Sequence, residues 1–347
     1  MTYLNSARQI SIRKSLTINA AGLLASSAMA LKQPRSYRLL SAVAAAEVLV
    51  LFSTLSSAAA PAPKNSPSVA EILNRAPPAA WRALADDHTL YMQLPAGRVI
   101  IELEPALAPH TVGNIEALAR VHYFDGLAVL RVQDNYVAQW GDPDDKRKVP
   151  EHMQKLAPEF AVPLPARSFT VLPDRDGYAP QVGFVDSFPA ARDPATGEAW
   201  LTHCYGAVGV GRDNDPASGN GSELYAVIGH APRHLDRNVT VVGRVRQGIE
   251  LLASLPRGTA ELGFYANPGE RTPITSVRLA SELAAAERTP LEVLRTDTAT
   301  FTALIEARRN RHDDWYLTPA GFIDLCNVPL PVRTTLVPAA RVPTTAK

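Results

Sequence analysis

Residues 123–142 read YFDGLAVLRVQDNYVAQWGD, and this stretch decides the fold class. Val129–Val132 and Tyr136–Trp140 are short runs of apolar, β-branched and aromatic residues, the composition of strands. Gln133, Asp134 and Asn135 between them form a turn, because Asp and Asn hydrogen-bond their own backbone and tolerate bent conformations. Arg131 closes the first run, and strand alternation puts its guanidinium on one sheet face. Gln139 lies eight residues on, an even number, so it shares that face if the turn preserves register. An Arg and a Gln among apolar residues can hold a peptide carbonyl over an apolar pocket. On spacing alone, one surface charge and one surface amide is the commoner reading.

The pattern continues on both sides. Thr89–Leu94 (TLYMQL) and Arg98–Leu103 (RVIIEL), joined through P-A-G, predict a β-hairpin. Thr111–Arg120 has apolar residues at 112, 115 and 118–119, a helical spacing entered through Pro109. Gly206–Gly211, Leu224–Ile228, Val239–Val245 and Ile274–Leu279 read as further strands, and Ile249–Ser254 as a helical turn. Ser68–Asn74 and Pro78–Ala85 read as short helical turns, the second burying Trp81. Residues 143–205 read as long, Pro- and charge-rich and irregular. After Ser281 the pattern turns helical, most clearly in Ala299–Arg309, before a Pro-rich tail at 329–347. Many short strands with turn punctuation predict a mainly β barrel or sandwich with few helices.

The whole chain has 347 residues, 35 Lys+Arg and 34 Asp+Glu, and this near-zero balance conceals a division. Residues 1–60 hold six bases and one acid, Glu47, leaving 29 bases against 33 acids in the rest. Within the basic leader, Leu39–Leu55 is an apolar run broken only by Glu47, preceded by Lys32, Arg35 and Arg38 and followed by SSAAAPAP. These are the parts of a secretory signal peptide, with cleavage expected after Ala59. The run is shorter than the roughly 20 apolar residues a membrane span needs. A weaker signal-like stretch follows Arg13-Lys14, and Met29 stands just before the better one, so the start is open between Met1 and Met29. The expected organisation is a leader at 1–60, a linker with short helices at 61–88, a barrel at 89–283 interrupted by 143–205, and a helical extension at 284–347. The expected location is periplasmic or extracellular, with no membrane association once the signal is removed. The mildly acidic remainder offers no basic patch, so nucleic acid is not an expected partner.

Other chemistry finds little support. His230 and His234 stand four apart, but Pro232 lies between them and no Glu follows the first His, so no metal site is expected. There is no G-x-S-x-G and no Walker Lys-Ser/Thr, and Gly209-Val210-Gly211-Arg212 lacks the third glycine of a dinucleotide loop. No cofactor is expected. Asn220 and Asn238 open glycosylation sequons by pattern only. Cys204 and Cys326 can pair in an oxidising compartment, although nothing in the spacing places them within bonding distance.

The central stretch resembles the cyclophilin family of peptidyl-prolyl isomerases. R131-V-Q-D-N-Y136-V137-A-Q139-W-G141-D142 is similar to the family's Arg…Phe-Met-x-Gln-x-Gly-Asp segment without a gap. P109-H-T-V-G-N114-I-E-A-L118 resembles its first helix, R98-V-I-I-E-L its opening strand, and P273-I-T-S-V its last. G206-A-V-G-V-G211, N220-G-S222-E-L-Y-A-V-I, L235-D236 and V241-V-G243-R-V continue the likeness over roughly 89–283. The resemblance implies an eight-stranded antiparallel barrel capped by two helices, and isomerisation of X–Pro bonds in extended or unfolded polypeptides. It implies that Arg131 donates to the prolyl nitrogen and that Gln139 holds the preceding carbonyl. Tyr136, Val137, Leu235 and Tyr225 would form the proline pocket, Tyr225 being uncertain by one position against Leu224. Gly211 and Arg212 would lie along the substrate backbone, and His234 would stand where the family has an aromatic.

Several positions depart from the family pattern. Its Phe-His before the arginine is Val129-Leu130, Trp140 stands where a small residue is usual, Glu223 replaces a Gln, Arg212 an Asn, and Val239 a frequent pocket His. These changes make a Pro-peptide-binding module with little or no turnover the alternative reading, ahead of an unrecognised metal-free hydrolase. The insertion at 143–205 is expected as a lid beside the pocket, and Leu304 and Ile305 are expected to pack on the barrel.

Overall fold

Thr89–Leu94 and Gly97–Leu103 pair antiparallel from Leu94↔Gly97 to Thr89↔Glu102, and period-2 alternation sends Leu90, Met92, Val99 and Ile101 to one face. That face becomes the inside of a barrel. In hydrogen-bonded order the sheet runs Thr272–Pro273, Ala128–Val132, Val137–Gly141, Leu224–Val227, Ala207–Val210, Val241–Gln247, Gly97–Leu103, Thr89–Leu94, Ser276–Leu279, every pair antiparallel. Its two end members are consecutive pieces of one chain segment. Between them Ile274 N–H donates to Leu127 and Thr275 N–H to Gln93, so the eight strands close without a free edge. The molecule is described from a computed structural model covering residues 67–142, 146–311 and 315–335. The leader at 1–60 and its signal therefore lie outside the described residues, as do most of the linker and the end of the tail.

Two helices plug the barrel. Pro109–Arg120 buries Val112, Ile115 and Leu118 in the core, and Ile249–Ala253 buries Leu252. The first helix has Pro at its start and Ala108 at its N-cap, which offers no side-chain acceptor. Glu159 of the insertion supplies one, accepting from His110 N (3.0 Å), Thr111 N (2.8 Å) and Thr111 Oγ1 (2.6 Å). It thus satisfies N–H groups that a helix start leaves orphaned.

The insertion is not irregular. Its described part carries a five-stranded antiparallel sheet in the order Val162–Pro163, Glu198–Leu201, Phe188–Asp193, Gln181–Val185, Thr170–Leu172. Two physical reasons hid it. Asp186 and Ser187, the two-residue hairpin turn, both adopt positive φ (43° and 71°) without the usual Gly or Asn signal. Tertiary contacts hold them: Ser187 Oγ donates to the Leu294 carbonyl, and Arg246 and Arg82 donate to the Ser187 and Asp186 carbonyls. Both faces of the sheet are also buried, so the polar alternation of a half-exposed strand is missing. Val185, Phe188, Ala190, Ala199 and Leu201 face the outside of the barrel. Val182, Phe184, Ala191 and Trp200 face the other way, toward the terminal additions.

Those additions also differ from expectation. Val69–Asn74 is the expected short helix, but of Pro78–Ala85 only Pro78–Ala80 is a helical turn; Trp81–Ala83 is a strand, and with Leu291–Leu294 and Val332–Thr334 it makes a third antiparallel sheet. Among the described residues the C-terminal extension therefore carries one α-helix, Ala299–Arg309, two strands and the short helical turns Ala285–Glu287 and Leu325–Asn327. Leu304 and Ile305 pack with the inserted sheet rather than the barrel, where Phe301 meets Phe184 edge-on at 5.0 Å. Cys204 and Cys326 form a disulfide across this second core, with Cα atoms 5.0 Å apart. Glu102 on the barrel ties the N-terminal addition on by accepting from Arg82 (2.6 Å), and it also accepts from its barrel neighbour Arg246 (2.7 Å), which reaches the Ser187 carbonyl of the inserted sheet.

Candidate functional site

One row of paired residues crosses four barrel strands: Arg131↔Gln139, Gln139↔Tyr225, Tyr225↔Gly209. Paired residues in antiparallel strands share a face, and this row points out of the barrel. A bulge makes that possible. Val129 pairs with Trp140 and Arg131 with Gln139, leaving Leu130 as the extra residue. Val129 and Val132 are both in the core, so without the bulge strict alternation would carry Arg131 inward beside Val129. The even spacing of Arg131 and Gln139 was legible; the bulge was not.

Arg131 is held on all three nitrogens. Nε donates to the Leu262 carbonyl (2.7 Å), one terminal nitrogen to Gln139 Oε1 (3.0 Å), and the other to Gln133 Oε1. Its guanidinium also lies over the rings of Tyr136 (5.5 Å) and Phe264 (5.4 Å). Burial lowers its pKa from the usual arginine value, opposed by Tyr136 and Glu223, and it stays cationic. A guanidinium has only donors, so the Gln139 atom facing it must be oxygen, and the Gln139 amide nitrogen is left for another acceptor. Gly211 lies on that side: a Cβ there would sit 3.4 Å from Gln139 Nε2 and 2.8 Å from Glu223 Oε2.

These residues border an open cavity of about 660 Å³. Tyr136, Val137, Tyr225, Leu235 and Val239 give it apolar walls, and Arg212 and Asp213 stand at its rim. Tyr225 faces the cavity while Leu224 lies in the barrel core, which decides between the two. A Cβ at Gly209 would fall 2.3 Å from the Tyr225 hydroxyl, so the ring lies flat where Gly209 has no side chain. Arg212 donates from Nε to Asn238 O (2.9 Å) and stacks on Phe160 of the insertion (5.6 Å).

Of the nine expected site residues the structure brings together eight. His234 is the exception: it is exposed on the short helical turn Arg233–Leu235 and does not line the cavity. The turn presents Leu235 to the cavity and turns its neighbour to solvent. Trp140, a departure from the family pattern, points into the barrel core and does not line the cavity. Among the described residues none from 146–205 lines this cavity, and the insertion stands beside it. Arg147, Val149 and Gln154 border a neighbouring cavity of about 560 Å³ with Glu223 and Phe264. Leu262, Phe264 and Gly209, which touch Arg131 or Tyr225, were missed as residues around the site. Only Gly258 and Gly263, which approach so closely that a Cβ on Gly258 would meet the Gly263 carbonyl, hinted at a tight loop beside Arg131.

Residues 89–279, more than half of the chain, match the profile of the cyclophilin type peptidyl-prolyl cis-trans isomerase/CLD family. This chain belongs to the cyclophilin family. It is similar to a probable peptidyl-prolyl cis-trans isomerase of Brucella suis, 28% identical over 183 residues, or 52% of this chain and 79% of the relative. A peptidyl-prolyl cis-trans isomerase of Arabidopsis thaliana is 29% identical over 175 residues, covering 50% and 62% of the two chains. Among solved structures, cyclophilin AquaCyp293 from Hirschia baltica superposes with a TM-score of 0.60 at 26% identity, over 73% of this chain and 93% of that one. The family is one of isomerases, and the cyclophilin barrel carries the Arg131–Gln139 row on its outer face.

Proposed function

We propose that this cyclophilin isomerises X–Pro bonds of exported, extended or unfolded polypeptides by twisting the prolyl amide without covalent chemistry. The observation that carries the reading is the Arg131–Gln139 pair, hydrogen-bonded at 3.0 Å on the margin of a cavity walled by Tyr136, Val137 and Leu235. Rotation about the amide faces a barrier of about 18–20 kcal/mol because resonance holds the bond planar. Partway through the twist the prolyl nitrogen pyramidalises and recovers its lone pair. Three of the five N–H donors of Arg131 are engaged by the protein, which leaves one on each terminal nitrogen for that lone pair. Gln139 donates its amide N–H to the carbonyl before the proline and keeps that end fixed while the proline turns. A donor matched to the twisted state and not to the planar one lowers the barrier.

Two features support export. The 1–60 leader has signal-peptide parts, and the Cys204–Cys326 disulfide belongs to an oxidising compartment. A second reading, grip without turnover, is favoured by the protein bonds that hold all three Arg131 nitrogens. NMR exchange between cis and trans signals of an Ala-Pro peptide separates the two. Wild type should broaden the signals and Arg131→Ala largely abolish the effect; peptide binding with no acceleration overturns the isomerase reading. Residues 1–60 fused to a reporter active only outside the cytoplasm test export.

A further inference from the structure

Tyr225 does more than line the cavity, because its hydroxyl ends a buried polar chain that no cavity-lining role requires. The hydroxyl meets His203 Nε2 at 2.7 Å, and the two rings lie nearly parallel, 12° apart. His203 Nδ1 and its backbone N–H both meet Asp236 Oδ1, at 2.8 and 3.0 Å. The other Asp236 oxygen accepts from Arg233 Nε (2.6 Å), and the Arg233 fork binds both oxygens of Asp176 at 2.9 and 3.0 Å. Side-chain exposure along the chain is 0% for His203, 5% for Asp236, 4% for Arg233 and 3% for Asp176.

The direction of the chain follows from chemistry. A carboxylate only accepts, so His203 Nδ1 donates to Asp236, and in the neutral ring Nε2 is the acceptor of the Tyr225 O–H. Asp236 thereby sets the tautomer and angle of the ring. Burying this many polar groups is costly against an apolar alternative, and a phenylalanine would make an apolar floor without it. What the chain adds is one ring orientation. The hydroxyl sits where Gly209 leaves room, and Asp236 follows Leu235 of the cavity wall, so floor and wall share one anchor.

We propose that His203 is a positioning residue of the isomerase site, holding the Tyr225 ring down over Gly209 as the floor of the proline cavity. Asp236, Arg233 and Asp176 are its fixed backing, and His203 and Asp176 bring the inserted sheet into the site. The proposal rests on the isomerase reading above. With the floor released, the ring moves into the cavity and the proline is bound less well, while Arg131 and Gln139 keep their geometry.

The test measures exchange kinetics and the peptide Kd by NMR titration, for oxidised protein shown folded by circular dichroism. His203→Phe should raise KM and Kd about tenfold with kcat changed less than threefold. His203→Gln, whose amide reaches the place of Nε2, should return both to within threefold of wild type. Tyr225→Phe removes only the hydroxyl and serves where His203→Phe does not fold; it should weaken Kd severalfold. The double variant should be no worse than the worse single one. A purely structural role would lower the melting temperature and leave KM and Kd alone. Wild-type turnover with KM and Kd of the folded variants within twofold, or fully additive effects, overturns this inference and leaves the isomerase reading standing. Wild type that binds without turnover overturns the isomerase reading, and Kd then decides the role of His203. Wild type that does neither overturns both.

Discussion

Reducing the Cys204–Cys326 bond is expected to lower stability by about 5 kcal/mol. The bond joins positions 122 residues apart. In the unfolded chain it closes a loop of that length, and the chain-entropy relation for such a loop gives about 16 cal/mol/K, hence about 5 kcal/mol at 25 °C. The native-state cost is small by comparison. Cys204 is 1% exposed and both residues belong to the core between the inserted sheet and the C-terminal helix, so reduction leaves two thiols in nearly the same volume. For a folded unit of this size each kcal/mol moves Tm by about 2–4 °C, so the reduced protein should melt about 10–20 °C lower. Calorimetry with and without a phosphine reductant reads the shift, and alkylation followed by intact mass counts thiols in each sample. An oxidised sample with no free thiol whose Tm moves by less than about 3 °C would refute the loop-entropy reasoning. Two alkylatable thiols in protein recovered from its native compartment would remove one of the two supports for export.

Arg131→Lys keeps the charge but loses the planar fork that reaches Leu262, Gln139 and Gln133 together. Its kcat/KM should fall about a hundredfold, as for loss of about 3 kcal/mol of transition-state stabilisation, with the circular dichroism spectrum unchanged. Burial raises the Glu104 carboxyl from 4.5 to about 7. The folded state therefore keeps a proton that the unfolded chain releases. Stability from this group is complete below about pH 4.5 and is lost as pH rises through 7, to a total of roughly 3 kcal/mol. Glu104→Gln should match wild type in urea midpoint near pH 4.5 and exceed it at pH 8; equal midpoints at both would contradict the assignment. Glu159→Ala leaves the first helix uncapped and should cost about 1–2 kcal/mol in urea unfolding.

The barrel was legible because its strands are short runs of apolar, β-branched and aromatic residues turned by Pro-Ala-Gly or Gln-Asp-Asn. The site was legible because Arg131, Gln139 and Tyr136 lie within nine residues of one another. What stayed hidden depends on contacts distant in sequence. The Leu130 bulge is set by pairing with Val137–Gly141, and no local preference announces it. The Asp186-Ser187 turn adopts its conformation because Arg82, Arg246 and Leu294 hold it from elsewhere. Trp81–Ala83, three residues after a Pro-led turn, becomes a strand only because Leu291–Leu294 lies beside it. His203 carried no signal at all, since a lone histidine beside a cysteine fits a core position as well as a site.

The same long-range packing explains why the site sits where it does. In a bare barrel the outward residues of the site strands would meet water. Here Val137, Tyr225, Val227 and Val241 are outward yet buried under the inserted sheet. The row that starts at half-exposed Arg131 passes Gln139, 8% exposed, reaches Tyr225 at 6%, and continues to His203 at 0%. Screening by water weakens in that direction, so hydrogen bonds at the covered end are stiffer than those at the open end. The proline ring needs a fixed, dry floor, and the reacting amide needs a donor that a chain from solvent can reach. An edge of cover crossing one hydrogen-bonded row supplies both, which is why the insertion belongs to the site although none of its described residues lines the cavity.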